Sequence, residues 1–306
     1  MAEVAKLPII DLSSLDRIST ANSIRQACIE CGFFYVVNHG VEEELQEQVF
    51  EESKQFFSLK LDDKMKLLRK EHRGYSPLYA ENLDPSTCRK GDSKESFYVG
   101  PLHRNDLNQW PPQELLPSWR PTMESYHHKL LSVGKRIISL IALSLKLEED
   151  YFEKIGVFDE PEGYIRLLRY PGEKSDSDEE LYGAYSHSDY GMITILATDG
   201  VPGLQVCREK LKKPLIWEDV LHLKGAFIVN IGDMIERWTN CLFRSTQHRV
   251  MPTLPRYSIA FFLDPNPDCI VKCLESCCSE VNPPKYPPIC SGDYFRERFR
   301  ISYGSE

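Results

Sequence analysis

Residues 187–198 read HSDYGMITILAT and join a candidate metal-binding pair to a candidate strand. The segment 193–198 is rich in β-branched and apolar residues, which is typical of a buried strand. His187 and Asp189 are two residues apart, so an extended chain would place both side chains on one face. An imidazole beside a carboxylate can bind a divalent metal ion, and a second histidine would complete a three-ligand site.

A His-x-Asp pair is a weak signal by itself. A chain with eight histidines and 46 acidic residues is expected to contain about one His-x-Asp/Glu pair by chance. The competing interpretation is therefore a surface histidine beside a surface aspartate. The sequence downstream favours the metal site, because His248 begins another strand candidate, 248–251, and can supply the third ligand.

The segment after His248 contains a candidate carboxylate-binding pair. A turn flanked by prolines leads to Arg256 and Ser258, which a strand would again place on one face. A guanidinium can bind both oxygens of a carboxylate, and a hydroxyl can donate a further hydrogen bond. Tyr170, on an earlier strand candidate, offers a phenolic donor. Metal ligands beside a carboxylate anchor describe a site for a dicarboxylic oxoacid chelated to iron.

The second half of the chain is a series of short strand candidates, at 164–170, 193–198, 203–207, 215–220, 226–231, 248–251 and 257–263. Short strands at regular spacing are typical of a β-sandwich or barrel. The first half shows helical periodicity, over 42–69 and 121–147, after a shorter helix that we expect Ser19 or Thr20 to cap. These patterns predict helices packed outside a β-core.

Composition narrows the class of protein. The 306 residues are 42% hydrophobic and carry a net charge of −9, which excludes a coiled coil or a disordered chain and disfavours nucleic acids and anionic membrane surfaces as partners. The first residues resemble neither a signal peptide nor a transit peptide, and the longest apolar stretch is too short to cross a bilayer. The ten scattered cysteines then indicate free thiols in a reducing, cytoplasmic environment.

Ten short motifs occur in order along nearly the whole chain. They are LPIIDL at 7–12, GFFYVVNHGV at 32–41, KESF at 94–97, RYP at 169–171, HSDYG at 187–191, ITIL at 193–196, GLQV at 203–206, VNIGD at 229–233, HRV at 248–250 and RYS at 256–258. Together they resemble the 2-oxoglutarate and Fe(II)-dependent dioxygenases, in the branch that includes plant specialised-metabolism oxygenases and isopenicillin N synthase.

The resemblance implies a mainly β fold with flanking helices, built on a double-stranded β-helix (jelly roll). It divides the chain into a helical N-terminal region at 7–118, a β-core at 160–264 and a closing C-terminal segment at 265–306. His187, Asp189 and His248 match the iron ligands of the family. Arg256 and Ser258 match the residues that bind the distal carboxylate of 2-oxoglutarate, and Tyr170 matches a tyrosine that commonly bonds it.

The reaction implied is oxidation, in the first instance hydroxylation, of a small organic metabolite with Fe(II), 2-oxoglutarate and O2, releasing succinate and CO2. Leu168 departs from the asparagine that many plant members carry two positions before the tyrosine. Two alternatives remain open: an iron oxidase of the isopenicillin N synthase type that uses no 2-oxoglutarate, and a catalytically inactive metabolite-binding homologue. The identity of the substrate and the oligomeric state are also left open.

Some residues outside these motifs carry expectations of their own. Aromatic side chains suit the wall of a pocket for an apolar metabolite, although they suit a barrel core equally well; the candidates are Phe97, Tyr98, Tyr185, Tyr190 and Phe262. The loops at 73–100 and 173–185 and the C-terminal helix at 291–300 are expected to complete that wall. His127 and His128 are expected to face solvent, and Asp233 to form a turn rather than bind metal.

Overall fold

Two β-sheets of unequal size form the centre of the computed structural model, which describes residues 3–83, 91–172, 182–209, 212 and 214–303. The strands are β1 (Glu3–Val4), β2 (Ile9–Asp11), β3 (Phe33–Val37), β4 (Gly74–Ser76), β5 (Glu95–Val99), β6 (Glu162–Tyr170), β7 (Ala184–His187), β8 (Ile193–Thr198), β9 (Leu204–Cys207), β10 (Glu218–Asp219), β11 (Phe227–Ile231), β12 (Gln247–Val250), β13 (Arg256–Asp264), β14 (Ile270–Val271) and β15 (Ile289–Cys290). The larger sheet has the order β2-β3-β11-β8-β13-β6-β5-β4, and the smaller has the order β1-β10-β9-β12-β7.

Seven helices are described, and the first, second and fourth of them pack against strands of the larger sheet. They are α1 (Arg17–Glu30), α2 (Glu43–Ser58), α3 (Leu61–Met65), α4 (Trp119–Ser144), α5 (Tyr151–Lys154), α6 (Asp233–Trp238) and α7 (Ser291–Tyr303), with 3-10 turns at Leu102–Leu107 and Glu275–Cys277. The long helix α4 approaches β13 closely at Gly134, where a Cβ atom would lie 2.7 Å from Leu263 Cδ2. In the described ranges, no helix has both the length and the hydropathy that a bilayer crossing requires.

Strand alternation gives the larger sheet two different faces. In β3, Phe34 and Val36 pack into the core beneath the helices, whereas Phe33 and Tyr35 belong to a second core that contains residues of the smaller sheet. This is the period-2 pattern that the apolar strands predicted. The two sheets therefore enclose an interior of their own, and the predicted fold, a double-stranded β-helix with flanking helices, is confirmed.

Three local expectations were wrong. Helix α1 begins one turn earlier than predicted, because the side chain of Asp16 accepts a hydrogen bond from the Ser19 N–H and caps it. The helix expected over 42–69 breaks after Ser58, where the chain turns so that buried Lys64 can bond the Phe57 carbonyl (3.0 Å) and Glu95 (2.8 Å). The third wrong expectation is the solvent exposure of His127 on α4.

His127 is buried rather than solvent-facing. Its side chain is 3% exposed, and its Nε2 lies 2.9 Å from the Gly163 carbonyl oxygen on β6. Burial lowers the pKa of this imidazole to about 4, so the ring is neutral near pH 7 and Nε2 donates the hydrogen bond. His128, the next residue, is exposed as expected.

Candidate active site

The two histidines of the predicted triad face each other across a pair of strands. His187 ends β7 and His248 lies in β12, which pairs antiparallel with β7 so that the two residues are in register. Their ring centroids are 4.3 Å apart. Asp189 follows β7 by two residues, and the candidate ligand atoms of the three side chains all lie within 4.8 Å of one another. Among the described residues, no other group of histidine, cysteine and acidic side chains has this spacing.

Backbone carbonyls fix which nitrogen of each imidazole faces the centre. His187 Nδ1 donates to the Tyr185 carbonyl at 2.7 Å, and His248 Nδ1 donates to the Thr246 carbonyl at 3.1 Å. Each Nε2 is the nitrogen that remains for a metal ion, and it points toward Asp189 Oδ1, at 3.7 Å from His187 and 3.6 Å from His248. These separations are too long for hydrogen bonds, and they suit a cation held between the three atoms.

Two further strands hold the carboxylate. Asp189 Oδ2 accepts hydrogen bonds from Thr194 Oγ1 on β8 and from Asn230 Nδ2 on β11, the latter at 2.7 Å. Burial alone would raise the pKa of Asp189, but the two imidazoles and these hydrogen bonds lower it. Burial lowers the pKa of His187 to about 3. An ionised carboxylate and two neutral imidazoles are the protonation states in which these groups bind metal, and the donor set suits Fe(II).

The predicted carboxylate anchor lies inside the barrel. Arg256 and Ser258 are each 1% exposed and line a cavity of about 550 Å³ together with Tyr170, His187 and the rest of the triad. Arg256 lies directly opposite Tyr170 in the β6–β13 pair, with its guanidinium 5.1 Å from the phenol ring. Its Nε donates to the Val201 carbonyl, whereas Nη1 is buried and has no hydrogen-bond partner among the described residues. A buried guanidinium with an unused donor fits a carboxylate ligand.

Where many plant members of the family have an asparagine, two positions before Tyr170, this chain has the apolar residue Leu168. Leu168 lies opposite Ser258 in the strand pair and lines the same cavity. The buried ammonium of Lys94 is the additional polar group in this wall, bonded to Glu81 at 2.6 Å and to Asp92. Lys94 belongs to the motif KESF, and nothing in that motif indicates that its side chain lines a cavity.

A second cavity, of about 660 Å³, is also bordered by His187 and Asp189. Three of the five aromatic candidates, Tyr98, Tyr190 and Phe262, line it, and α7 contributes Phe295 and Phe299 as the closing helix was expected to do. The remaining wall residues are Arg69, His72, Glu81, Leu83, Tyr164, Ser188, Gly191 and Asp264. Residues 84–90 and 173–181 of the two predicted pocket loops lie outside the described ranges.

The other two aromatic candidates lie elsewhere. Phe97 is fully buried in the helix-side core, where its ring packs against Phe56 (4.6 Å) and Trp119 (5.0 Å). Tyr185 packs on Tyr182 with ring centroids 4.5 Å apart. The strand alternation that buries Phe97 on the helix side leaves its neighbour Tyr98 facing the cavity.

Asp233 has a structural role that the sequence only partly indicated. It begins α6, and its two carboxylate oxygens accept hydrogen bonds from Ser245 Oγ (2.6 Å) and Tyr294 Oη (2.7 Å). Because Tyr294 belongs to α7, this bond ties the closing helix to the β-core. The nine described cysteines are all free thiols.

Comparison with known proteins agrees with this geometry. Residues 7–114 match the family model described as the N-terminal region of non-haem dioxygenases in morphine synthesis, and residues 162–265 match the 2OG-Fe(II) oxygenase superfamily. Azadirone synthase from Melia azedarach and kihadalactone A synthase from Citrus sinensis are each 41% identical to the chain, over 97% of it and 92% of their own length.

Solved structures show the same fold with ligands bound. JOX2 in complex with 2OG, Fe and JA is 32% identical and superimposes with a TM-score of 0.85, over all of this chain and 88% of that one. A full-length Neurospora crassa protein in complex with alpha-KG is 29% identical, with a TM-score of 0.86 over 97% of this chain and 98% of that one. The chain therefore belongs to the 2-oxoglutarate and Fe(II)-dependent dioxygenases, and it is an oxidoreductase whose cofactor is Fe(II) and whose cosubstrates are 2-oxoglutarate and O2.

Proposed function

We propose that His187, Asp189 and His248 bind the Fe(II) ion, that Arg256, Ser258 and Tyr170 bind 2-oxoglutarate, and that the enzyme hydroxylates a small organic metabolite. The observation that carries the proposal is the position of His187 and Asp189, which line both cavities. The cavity with the carboxylate anchor and the cavity with aromatic walls thus meet at the candidate ligands. Cosubstrate and substrate can approach the metal from different sides.

Each residue has a defined task in this scheme. Arg256 and Ser258 fix the distal carboxylate of 2-oxoglutarate and thereby aim its oxoacid end at the triad. Thr194 and Asn230 keep Asp189 Oδ2 occupied, so that Oδ1 remains for the metal. When bound, iron and 2-oxoglutarate supply the oxidative decarboxylation that yields succinate and CO2 and leaves one oxygen atom for a substrate C–H bond.

The wall of the larger cavity supports an apolar substrate. Phe262, Phe295 and Phe299 and their neighbours exclude water from the space beside the triad. Two relatives are named for the synthesis of azadirone and kihadalactone A, and the Neurospora crassa protein has been crystallised with thymine, so the relatives act on or bind small organic molecules. The free state of the described cysteines supports a reducing compartment such as the cytoplasm.

The test is anaerobic reconstitution of the purified chain with Fe(II) and 2-oxoglutarate. We expect the visible absorption band of an iron–oxoacid chelate in the wild type and its loss in His187→Ala. Admission of O2 with substrate should then release succinate, measured by mass spectrometry. An enzyme that oxidises substrate without any oxoacid would overturn the assignment of Arg256 and Ser258 to 2-oxoglutarate.

A further inference from the structure

The cavity beside the candidate metal centre contains a carboxyl group to which no described residue donates a hydrogen bond. Asp264 is the last residue of β13, is 7% exposed and lines the cavity together with His187 and Asp189. Within the described part of the chain, no group donates a hydrogen bond to its carboxyl oxygens. Its oxygens therefore depend on what fills the cavity, and a ligand that displaces water from it has to supply a hydrogen bond in its place.

The surrounding strands hold this carboxyl firmly in place. Nine consecutive residue pairs join β13 to β6 and set Asp264 opposite Glu162. Its Oδ1 lies against the backbone of Gly191, where a Cβ atom would come within 1.7 Å of it. Glu162 cannot serve the cavity in the same way, because Arg104 and the Tyr164 hydroxyl (2.7 Å) already bond it.

Glu81, another acidic residue in the cavity wall, has its charge neutralised by two buried cations. Glu81 forms ion pairs with Lys94 at 2.6 Å and with Arg166, and all three side chains are buried. In the described ranges, Asp264 forms no ion pair with a cation. Burial, followed by the charges of Glu162 and Asp189, raises the pKa of its carboxyl well above the usual range. The protonated carboxyl that this shift favours can donate a hydrogen bond to an uncharged oxygen and can also accept one from a hydroxyl.

The same charges argue against ionised substrates. A substrate carboxylate near Asp264 would be repelled by the charges of Glu162 and Asp189, the same charges that raise the pKa of Asp264. A substrate ammonium would lie in a wall that also contains Arg69, and the raised pKa of Asp264 favours the uncharged carboxyl, which is a poor partner for a cation. An uncharged molecule avoids both repulsions and can still satisfy Asp264.

We propose that Asp264 orients the substrate by hydrogen-bonding to a hydroxyl or carbonyl oxygen on a largely apolar, uncharged molecule. The bond fixes one end of that molecule while the aromatic side chains of Phe262, Phe295 and Phe299 contact its body. This inference rests on the proposed function, since it assigns the substrate class of the same site.

The experiment compares four compounds on one hydrocarbon skeleton: 2-decalone, 2-decalol, decalin-2-carboxylate and 2-aminodecalin. Each is titrated anaerobically into the chain loaded with Fe(II) and 2-oxoglutarate, and the perturbation of the chelate band reports binding. We expect the ketone and the alcohol to bind at least about tenfold more tightly than the carboxylate and the amine, the difference that one good buried hydrogen bond provides.

Variants isolate the role of Asp264. Asp264→Leu and Asp264→Ala should each lose about tenfold in affinity for the ketone, whereas Asp264→Asn, which keeps a donor and an acceptor, should stay within about threefold. Asp268→Leu, the same change at an exposed residue four positions on, is the matched control. An undiminished chelate band shows that each variant is folded.

The outcomes separate the inference from the proposed function. If the carboxylate or the amine binds as tightly as the ketone, if none of the four compounds binds, or if Asp264→Leu keeps wild-type affinity, Asp264 does not select an uncharged substrate. If the wild type forms no chelate with Fe(II) and 2-oxoglutarate, the proposed function itself fails.

Discussion

Single hydrogen bonds decide which atoms of the candidate ligands are free to bind iron. Carbonyl oxygens at Tyr185 and Thr246 bind the Nδ1 protons of the two histidines, and Asn230 with Thr194 occupies the outer oxygen of Asp189. These bonds orient three side chains that lie on different segments of backbone. A metal centre held in this way should depend on residues that never touch the metal.

Asn230→Leu tests that dependence. The leucine removes the 2.7 Å hydrogen bond to Asp189 Oδ2 and should weaken Fe(II) binding by about ten- to a hundredfold. Anaerobic Fe(II) titration at saturating 2-oxoglutarate, followed by the chelate band, gives the affinity. Wild-type affinity in a folded variant would show that Thr194 alone is enough to position the carboxylate.

Arg256→Lys tests the carboxylate anchor. Lysine keeps the charge but lacks the flat, forked donor set whose Nη1 is unpaired, so the KM for 2-oxoglutarate should rise by about tenfold or more while kcat changes less. Initial rates of succinate release against 2-oxoglutarate concentration measure both constants. Arg249→Lys, on β12 and bonded to Gln205, is the control that should leave the KM unchanged.

At the scale of elements, strand alternation accounts for what the sequence could predict. The period of two places Arg256 and Ser258 on the inner face of β13, and it would do so whichever strands lay alongside. The triad was predictable for a similar reason, since His187 and Asp189 are close in sequence and His248 begins a recognisable strand. These predictions depend on the geometry of short stretches of chain and not on which strands become neighbours.

Contacts between distant elements account for the errors and omissions. The break between α2 and α3 depends on a buried ion pair between Lys64 and Glu95, which are 31 residues apart. His127 is buried because Gly163 of β6 lies above it. The roles of Asn230 and Asp264 likewise appear only once β11 and β13 are placed beside the triad, because no sequence period encodes which strands become neighbours.

The α4–β6 contact predicts a pH-dependent stability. His127 has a folded pKa of about 4, below its ordinary value of 6.5, so the unfolded chain binds the extra proton first as the pH falls. This residue's stabilising contribution is complete above pH 6.5 and is lost between pH 6.5 and 4, by about 2 kcal/mol between pH 7 and pH 5.

Urea unfolding at the two pH values measures this loss. His127→Gln, which keeps a donor for the Gly163 carbonyl but does not titrate, should lose about 2 kcal/mol less than the wild type on going from pH 7 to pH 5. His128→Gln, at the exposed neighbour, should follow the wild type. Identical pH dependence in all three proteins would mean that His127 does not couple folding to protonation.

The attachment of α7 can be tested through Tyr294. Tyr294→Phe removes the hydrogen bond to Asp233 and should destabilise the closing helix locally by about 1–2 kcal/mol. Hydrogen exchange should therefore speed up across α7 and remain slow in β13. Tyr151→Phe on α5 is the matched control, and equal protection of α7 in both variants would show that apolar packing alone holds the helix.

On the scale of the whole molecule, the candidate site joins the two sheets. His187 and His248 come from the smaller sheet, whereas Arg256, Ser258 and Tyr170 come from the larger one. The interior between the sheets contains these polar residues and the cavity that they line, in addition to the apolar side chains of the second core. Ligands that occupy this interior should hold the sheets together.

Thermal unfolding under anaerobic conditions measures that effect. Fe(II) and 2-oxoglutarate, each at about a hundred times its dissociation constant, should together add about 5 kcal/mol, roughly 2.7 kcal/mol for each ligand, and raise the Tm by several degrees, because both bind only the folded chain. Since a chelate needs both partners, 2-oxoglutarate alone should add little, and Arg256→Leu should keep the increment from iron and lose the one from the oxoacid. Equal, independent increments from the two ligands would instead mean that they bind the two sheets separately, and the anchor would then have to be placed away from the triad.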